Sequence, residues 1–288
     1  MKKMLKTFAS LAAVVSLSLS SIASPVLAQE DQLSVIKERG ELLVGTSPDF
    51  APREFYVLND KGEKEVVGSD IALAQAIADE IGVTLKLVTT DFNGVIANIQ
   101  SGAVDMGISG FSYTEGRKAV MDFSEGYSQE TGDEGYQGLL VTKEVADQYK
   151  TLEDLIAANL SIGAQGGSIQ YELAMKLTKP TNVKQYGTMD AEALALNAGD
   201  IQAIVVSTTS AQPLLDTFDN FVLLPRDGFD LDPENIYANN VIGLPKSNDN
   251  KALLEVVNKV IKEAIESGDM AKWEAEAKEL SKKAIEGE

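Results

Sequence analysis

Short apolar runs of strand length alternate with helical stretches from residue 31 to about residue 127, and this alternation restricts the possible folds more than any other feature. Asp31–Arg39 reads as a short helix with Leu33 and Ile36 on one side, stopped by Gly40. Leu42–Gly45 is a compact apolar strand. Thr46–Phe55 reads as a loop, stiffened by Pro48 and Pro52, that presents Phe50, and the polar stretch after it turns at Asn59–Gly62. Ser69–Ile81 places Ile71, Ala74, Ile77, Ala78 and Ile81 at helical spacing, with Asp70 at the positive end of the dipole and Gly82 as a stop. Val83–Val88 alternates as a strand should, Asp91–Asn93 is a loop carrying Phe92, and Gly94–Gln100 is a helix closed by Gly102. Val104–Ile108 is a short buried strand. Strand–helix–strand order at this spacing predicts a parallel sheet with right-handed crossovers.

A second α/β unit follows the polar, glycine-rich segment Tyr127–Gly138, which reads as a linker. Its strands are Leu139–Thr142, Leu160–Ala164 and Ile201–Val206, and its helices are Leu152–Ala158, a stretch from Gln170 to Leu177, Asp190–Asn197 and Ser210–Thr217. Ile99–Ser109 and Leu196–Ser207 share a pattern of helix end, glycine and apolar strand ending in serine, which suggests a duplicated unit. Two such units make two lobes with a cleft between them, a preferred place for small ligands. Arg226–Asn240 is irregular, Val241–Pro245 is a strand, and Lys251–Ser267 and Asp269–Glu286 are long helices, the second anchored by Trp273. Those helices find no partner in the second unit, so the chain is expected to return to the first. The expected division is residues 29–130 plus 238–288 for lobe 1 and 138–236 for lobe 2. Segments 127–138 and 235–240 then form a two-stranded hinge.

The run V-D-M-G-I-S-G-F-S-Y-T-E-G-R at Val104–Arg117 carries the chemistry. Ligands of open α/β sheets sit outside the carboxyl ends of the strands. Ser109, Gly110 and Ser112 fall there, and their backbone groups and hydroxyls can hold a small polar molecule. Arg117 follows five residues after Ser112. Its guanidinium is a rigid fork suited to a carboxylate. Read alone, the run is equally an ordinary strand-to-helix turn with a surface arginine.

The chain has no cysteine and no histidine among its 288 residues. Disulfides, thiol catalysis, Cys–metal sites and a lipid-bearing N-terminal cysteine are excluded, and the commonest general base and metal ligand is absent. No calcium-loop pattern is present, and neither metal nor cofactor is expected. Lys2, Lys3 and Lys6, the apolar run Leu11–Leu19 and Val26-Leu27-Ala28 make residues 1–28 a signal peptide too short in its apolar part to span a bilayer. The formal net charge is −19, and more negative once those lysines are removed. Nucleic acid and anionic membrane surfaces are poor partners for such a chain. The expectation is an exported monomer, periplasmic or associated with the cell envelope.

Several motifs together are similar to the extracytoplasmic amino-acid-binding proteins of ABC importers, the family of the glutamine- and histidine-binding proteins. They are V-G-T-S-P-D-F-A-P at Val44–Pro52, V-G-S-D-I-A-L-A-Q-A-I-A at Val67–Ala78, I-Q-S-G-A-V-D at Ile99–Asp105, the run ending at Arg117, and M-D-F-S at Met121–Ser124. The resemblance implies a two-lobed periplasmic-binding-protein fold of type II, each lobe a mostly parallel sheet with flanking helices. It implies a binding protein, not an enzyme, that holds a small amino acid, closes by hinge motion and serves a membrane permease. Arg117 then matches the residue that holds the ligand's α-carboxylate. Gly110 and Ser112, beside Ser109, match positions that meet the carboxylate and α-ammonium, while Phe50 and Phe92 match walls around the side chain. The turn Gly166–Gln170 matches the second lobe's contribution, with Ser168 and Ile169 at a helix N-terminus and Gln165 just before the turn as a further candidate. Ser207 stands where the family usually has an aspartate for the α-ammonium. Asp49, Asp133 and Glu134 are candidates to replace it, unless the ligand lacks a free α-ammonium. Arg53, where the family more often has an apolar residue, points either into the cleft or to solvent. The alternatives are a periplasmic dehydratase-type enzyme on the same scaffold and the ligand-binding part of a sensor.

Overall fold

A computed structural model describes residues 31–129 and 135–285. The segment expected to be a signal peptide lies outside the described residues, as do Asp133, Glu134 and Glu286. Asp31 caps α1 (Gln32–Arg39) by accepting from the Ser34 N–H. The chain then enters β1 (Glu41–Thr46). The expected loop Thr46–Phe55 is instead largely extended, because its backbone groups pair. β2 (Asp49–Phe50), β3 (Glu54–Leu58) and β4 (Lys64–Val67) form a three-stranded antiparallel sheet. α2 (Ser69–Ile81) has the anticipated bounds and buries Leu73, Ala74, Ile77 and Ala78. β5 (Thr84–Thr89) precedes α3 (Phe92–Ser101). Phe92 belongs to the first turn of that helix and not to a loop, because Asp91 accepts from the Gly94 N–H and starts the helix early.

The strand expected at Val104–Ile108 narrows to β6 (Met106–Gly107). Next come α4 (Glu115–Lys118), which bears Arg117, and β7 (Met121–Phe123). The expected linker contains β8 (Ser128–Gln129), and β9 (Gln137–Thr142) starts before its expected end. The second unit continues through α5 (Lys143–Gln148), α6 (Leu152–Ala158), β10 (Ile162–Gln165) and α7 (Ile169–Leu177). It is completed by β11 (Val183–Tyr186), α8 (Met189–Ala198), β12 (Ala203–Ser207), α9 (Gln212–Thr217), β13 (Phe221–Leu223) and the kinked turn α10 (Arg226–Phe229). β14 (Asn239–Asn240), β15 (Gly243–Pro245), α11 (Lys251–Ser267) and α12 (Asp269–Leu280) end the chain's regular structure. α12 stops short of the expected Glu286 and passes into a 3-10 turn at Ser281–Lys283.

Two five-stranded sheets result, in the orders β5-β1-β6-β15-β7 and β11-β10-β12-β9-β13. In each, the first three strands run parallel and the other two join through antiparallel pairs, so both sheets are mixed around a parallel core, in keeping with the mostly parallel sheets expected. The two serine-ended stretches that resemble each other supply β6 and β12, the third strand of each sheet. The fourth strand of each sheet is reached from the other side: β9 follows β8, and β15 follows β14. β8 and β14 pair with each other, Ser128 with Asn240 and Gln129 with Asn239. The tail helices return as the apolar pattern requires, burying Leu253, Val257 and Ile261 against Leu73 and Ile77 of α2.

Asp105, in the I-Q-S-G-A-V-D motif, anchors α1 and β1 to this frame. It is buried, accepts from Gln32 Nε2 (2.6 Å) and the Leu43 N–H (2.8 Å), and is ion-paired with Arg39. Asp105→Ala strands these donors in the protein interior and should lower stability by about 2–4 kcal/mol, measured as a fall in urea midpoint at constant m.

Candidate functional site

The strand ends of the two large sheets face each other across a narrow cleft with a cavity volume of about 30 Å³. All ten candidate residues line it: Phe50, Phe92, Ser109, Gly110, Ser112 and Arg117 on one side, and Gln165, Ser168, Ile169 and Ser207 on the other. Their atoms are used differently from the sequence expectation. The Ser109 hydroxyl is buried and already committed, donating to Glu54 Oε1 (2.6 Å) and accepting from the Ser47 N–H (3.1 Å). The Ser112 hydroxyl donates to the Tyr237 carbonyl (2.8 Å). The Ser168 hydroxyl caps α7, accepting from the Tyr171 N–H, and donates to the Gln165 carbonyl. Buried hydroxyls need partners, so these serines shape the wall more than they offer free donors.

Gly110 sits at φ +56°, and a Cβ there would lie 2.7 Å from the Phe50 ring. Only glycine lets that turn approach the aromatic wall. Its N–H donates to Asp70 Oδ2 (3.1 Å), which also accepts from the Tyr127 hydroxyl (2.6 Å). Asp70, expected only as a helix-dipole residue, is fully buried and supports the floor of the cleft. Arg53 points neither into the cleft nor to solvent. It is 6% exposed, with Nη1 at 3.7 Å from Asp70 Oδ1 and Nη2 donating to Ser128 Oγ (3.4 Å) on β8. Turned to satisfy both its ends, the Asn240 amide on β14 donates to the Gly110 carbonyl and accepts from Arg53, each at 3.0 Å. The paired segments between the sheets are thereby wired to the cleft floor.

Arg117 reaches across the cleft. Nη1 donates to the Ser112 carbonyl (2.8 Å) and Nη2 to the Gly167 carbonyl (2.9 Å) of the opposite side. The guanidinium lies 5.5 Å from the Phe92 ring centroid and 5.6 Å from that of Phe111. Burial lowers its pKa to about 10, so it stays charged at neutral pH. No carboxylate among the described residues lies within ion-pair distance of it. Two of its five N–H groups are used within the protein, and the rest can meet an anion. Ser168 begins α7 beside it, where first-turn N–H groups favour negative charge.

The second contact between the sides is made by Asp49. Its Oδ2 accepts from Gln165 Nε2 and from the Met189 N–H, both at 2.8 Å, and its Oδ1 accepts from the Ser47 hydroxyl. Burial, aided by the nearby Asp190, raises its pKa to about 6 against the lowering effect of these bonds. Sequence reasoning missed Gln137 and gave Gln170, in the turn it did read, no role of its own; their side chains bond to each other (2.9 Å) on the cleft wall. Gln137 was hidden in a segment that looked like a linker. It also missed Asn240, in a region without periodicity.

A family model for bacterial extracellular solute-binding proteins, family 3, matches residues 42–277. The chain belongs to that family. This solute-binding protein is 28% identical over 243 residues to the L-cystine-binding protein TcyJ of Escherichia coli K12, covering 84% of each chain. It is 27% identical over 254 residues to the arginine-binding extracellular protein ArtP of Bacillus subtilis, covering 86% and 87%. The crystal structure of AbpA from Streptococcus pneumoniae, an amino acid ABC transporter substrate-binding protein bound to L-arginine, superposes with a TM-score of 0.74 at 33% identity. That match covers 86% of this chain and 98% of that one. These likenesses make the two-lobed fold one of type II periplasmic binding proteins. No helix among the described residues is long and apolar enough to cross a membrane.

Several carboxyls of the solute-binding protein are held above their ordinary range. Asp49 rises to about 6; burial drives Glu54 and Glu192 well above the usual carboxylate values, with Asp70 adding to Glu54 and Asp49 to Glu192. The folded state binds these protons more tightly than the unfolded chain does. For Asp49 the resulting stability is complete below about pH 4 and lost as pH rises through about 6. Ligand-free protein should therefore melt at a higher temperature at pH 5.5 than at pH 7.5 in calorimetric scans. Asp49→Asn should narrow that difference.

Proposed function

We propose that this protein binds a small amino acid between its two lobes, closes over it and delivers it to the permease of an ABC importer. The observation that carries the reading is Arg117: a desolvated guanidinium with unused donors, no counter-ion among the described residues and a hydrogen bond to each side of the cleft. An α-carboxylate supplies the missing charge. It takes the free N–H groups of Arg117 and those at the start of α7, while Phe50 and Phe92 enclose the side chain. The relatives named for cystine and arginine, and the structure bound to arginine, support an amino acid as ligand.

Residues 31–129 with the tail after Asn240 form lobe 1 of this proposal, the β9–β13 unit forms lobe 2, and β8 and β14 form the hinge. A ligand that touches both lobes binds the closed form better and shifts the population towards it. The closed form is then the one the permease selects. Its acidic surface and the sequence of residues 1–28 fit an exported monomer working outside the cytoplasmic membrane.

Arg117→Ala removes one partner of a buried charge pair, which costs about 2–5 kcal/mol. Isothermal calorimetry should show affinity for the best amino acid falling at least tenfold, and Arg117→Lys should not restore it, since an ammonium lacks the fork. Unchanged affinity in Arg117→Ala removes the proposal. Closure is tested separately at Gly167, whose φ is +76° and whose added Cβ would lie 3.0 Å from Ile96 Cδ1 and 3.2 Å from Asn93 Oδ1 across the cleft. Gly167→Ala should weaken binding several-fold and reduce the ligand-induced compaction seen by small-angle scattering.

A further inference from the structure

Beside the main cleft lies a small recess of about 10 Å³ that shares Phe50, Gln165, Ser168, Gln170 and Ser207 with it. Glu192 closes this recess from the first turn of α8. The residue is 2% exposed, and its Oε1 has no hydrogen-bond partner among the described residues. Among those residues no lysine or arginine lies within ion-pair distance of it. The charge that acts on it is that of Asp49, which meets α8 through the Met189 N–H. The strand end nearest the recess is Ser207, whose neutral hydroxyl is paired with Thr209 Oγ1 (2.9 Å). A native fold seldom keeps a carboxyl buried, unpaired and beside a second acid. The arrangement is the reverse of the other end of the cleft, where Arg117 is desolvated without an anion. The charges that perturb Asp49 and Glu192 are acids, those that perturb Arg117 are Glu172 and Tyr237, and so the acid pair and the guanidinium do not neutralise each other.

We infer that Glu192, with Asp49 across the lobe boundary, is the cation subsite of this protein and receives the ammonium or guanidinium group of the ligand. The inference rests on the amino-acid reading above and adds the residue that supplies the anionic counterpart. A cation entering the recess gives the Glu192 carboxylate the partner the protein withholds. It also draws Glu192 into its ionised form, releasing a proton to solvent as it binds.

The test is Glu192→Gln, which keeps the side chain's shape and removes its charge, with three probes: arginine, its neutral-side-chain analogue citrulline, and 5-guanidinopentanoate, which lacks the α-ammonium. Calorimetry should show at least tenfold weaker binding of every probe whose cation enters the recess. Loss for arginine and citrulline alike assigns the recess to the α-ammonium. Loss for arginine and the guanidino acid, with citrulline unaffected, assigns it to the side chain. Proton release, measured in two buffers of different ionisation enthalpy, should shrink in Glu192→Gln. The ligand-free variant should melt at a higher temperature than the wild type at pH 7.5, because the buried acid is gone; a merely structural carboxylate would lower melting temperature and affinity together. Wild-type-like affinity for all three probes in Glu192→Gln overturns the inference while leaving the binding function intact. A wild type that binds neither these probes nor any other amino acid overturns the functional reading, and this one with it.

Discussion

The guanidinium of Arg117 is stripped of most of its water and, among the described residues, given two carbonyl oxygens in return. Much of the surrounding structure serves to hold it in that condition. Phe92 and Phe111 back it with ring faces. Asp91 starts α3 early enough to place Phe92 there. Thr114 caps the short α4 through the Arg117 N–H, so the side chain leaves the backbone at a fixed point. A desolvated charge without a counter-ion is costly, and under the proposed function the cost is recovered when an anion arrives. The second lobe contributes a carbonyl and a helix start at the same spot, which ties recognition of that anion to the meeting of the lobes.

Beneath the cleft, a second set of charges is fully internal. Arg53, Glu54 and Asp70 are buried together and reach the wall through Ser109 and Gly110, and the connecting segments through Ser128 and Asn240. Glu54 Oε2 lacks a partner among the described residues. The polar floor thus joins ligand-facing backbone to the paired segments β8 and β14, so that the position of one bears on the other.

Legibility in the sequence followed the strength of local signals. α2 and α11 have their anticipated bounds because periodicity and glycine stops agree in each, and α6 has its anticipated bounds between Thr151 and a left-handed Asn159. β11 and β13 went unread, being only four and three residues long, β11 of mixed polarity, and both held by pairing across the sheet. The antiparallel fourth strands could not be foreseen from the alternation, since they arrive by long-range exchange between the lobes. The ten candidate residues do line one cleft, but the direction of each side chain was not legible. Arg53 turned inward because Asp70, distant in sequence, offered it a partner. Glu192 was invisible because nothing in a helical M-D-A-E-A-L pattern marks which carboxylate will be buried.

The exchange of strands also bears on how the molecule can be assembled. The first sheet has β15 between β6 and β7, so its central pairing waits for residues 243–245 to arrive. Until then the amino-terminal half has an unfilled slot in its own core, where Ile242 and Leu244 belong. Contacts so distant in sequence form late and slow the search for the native state.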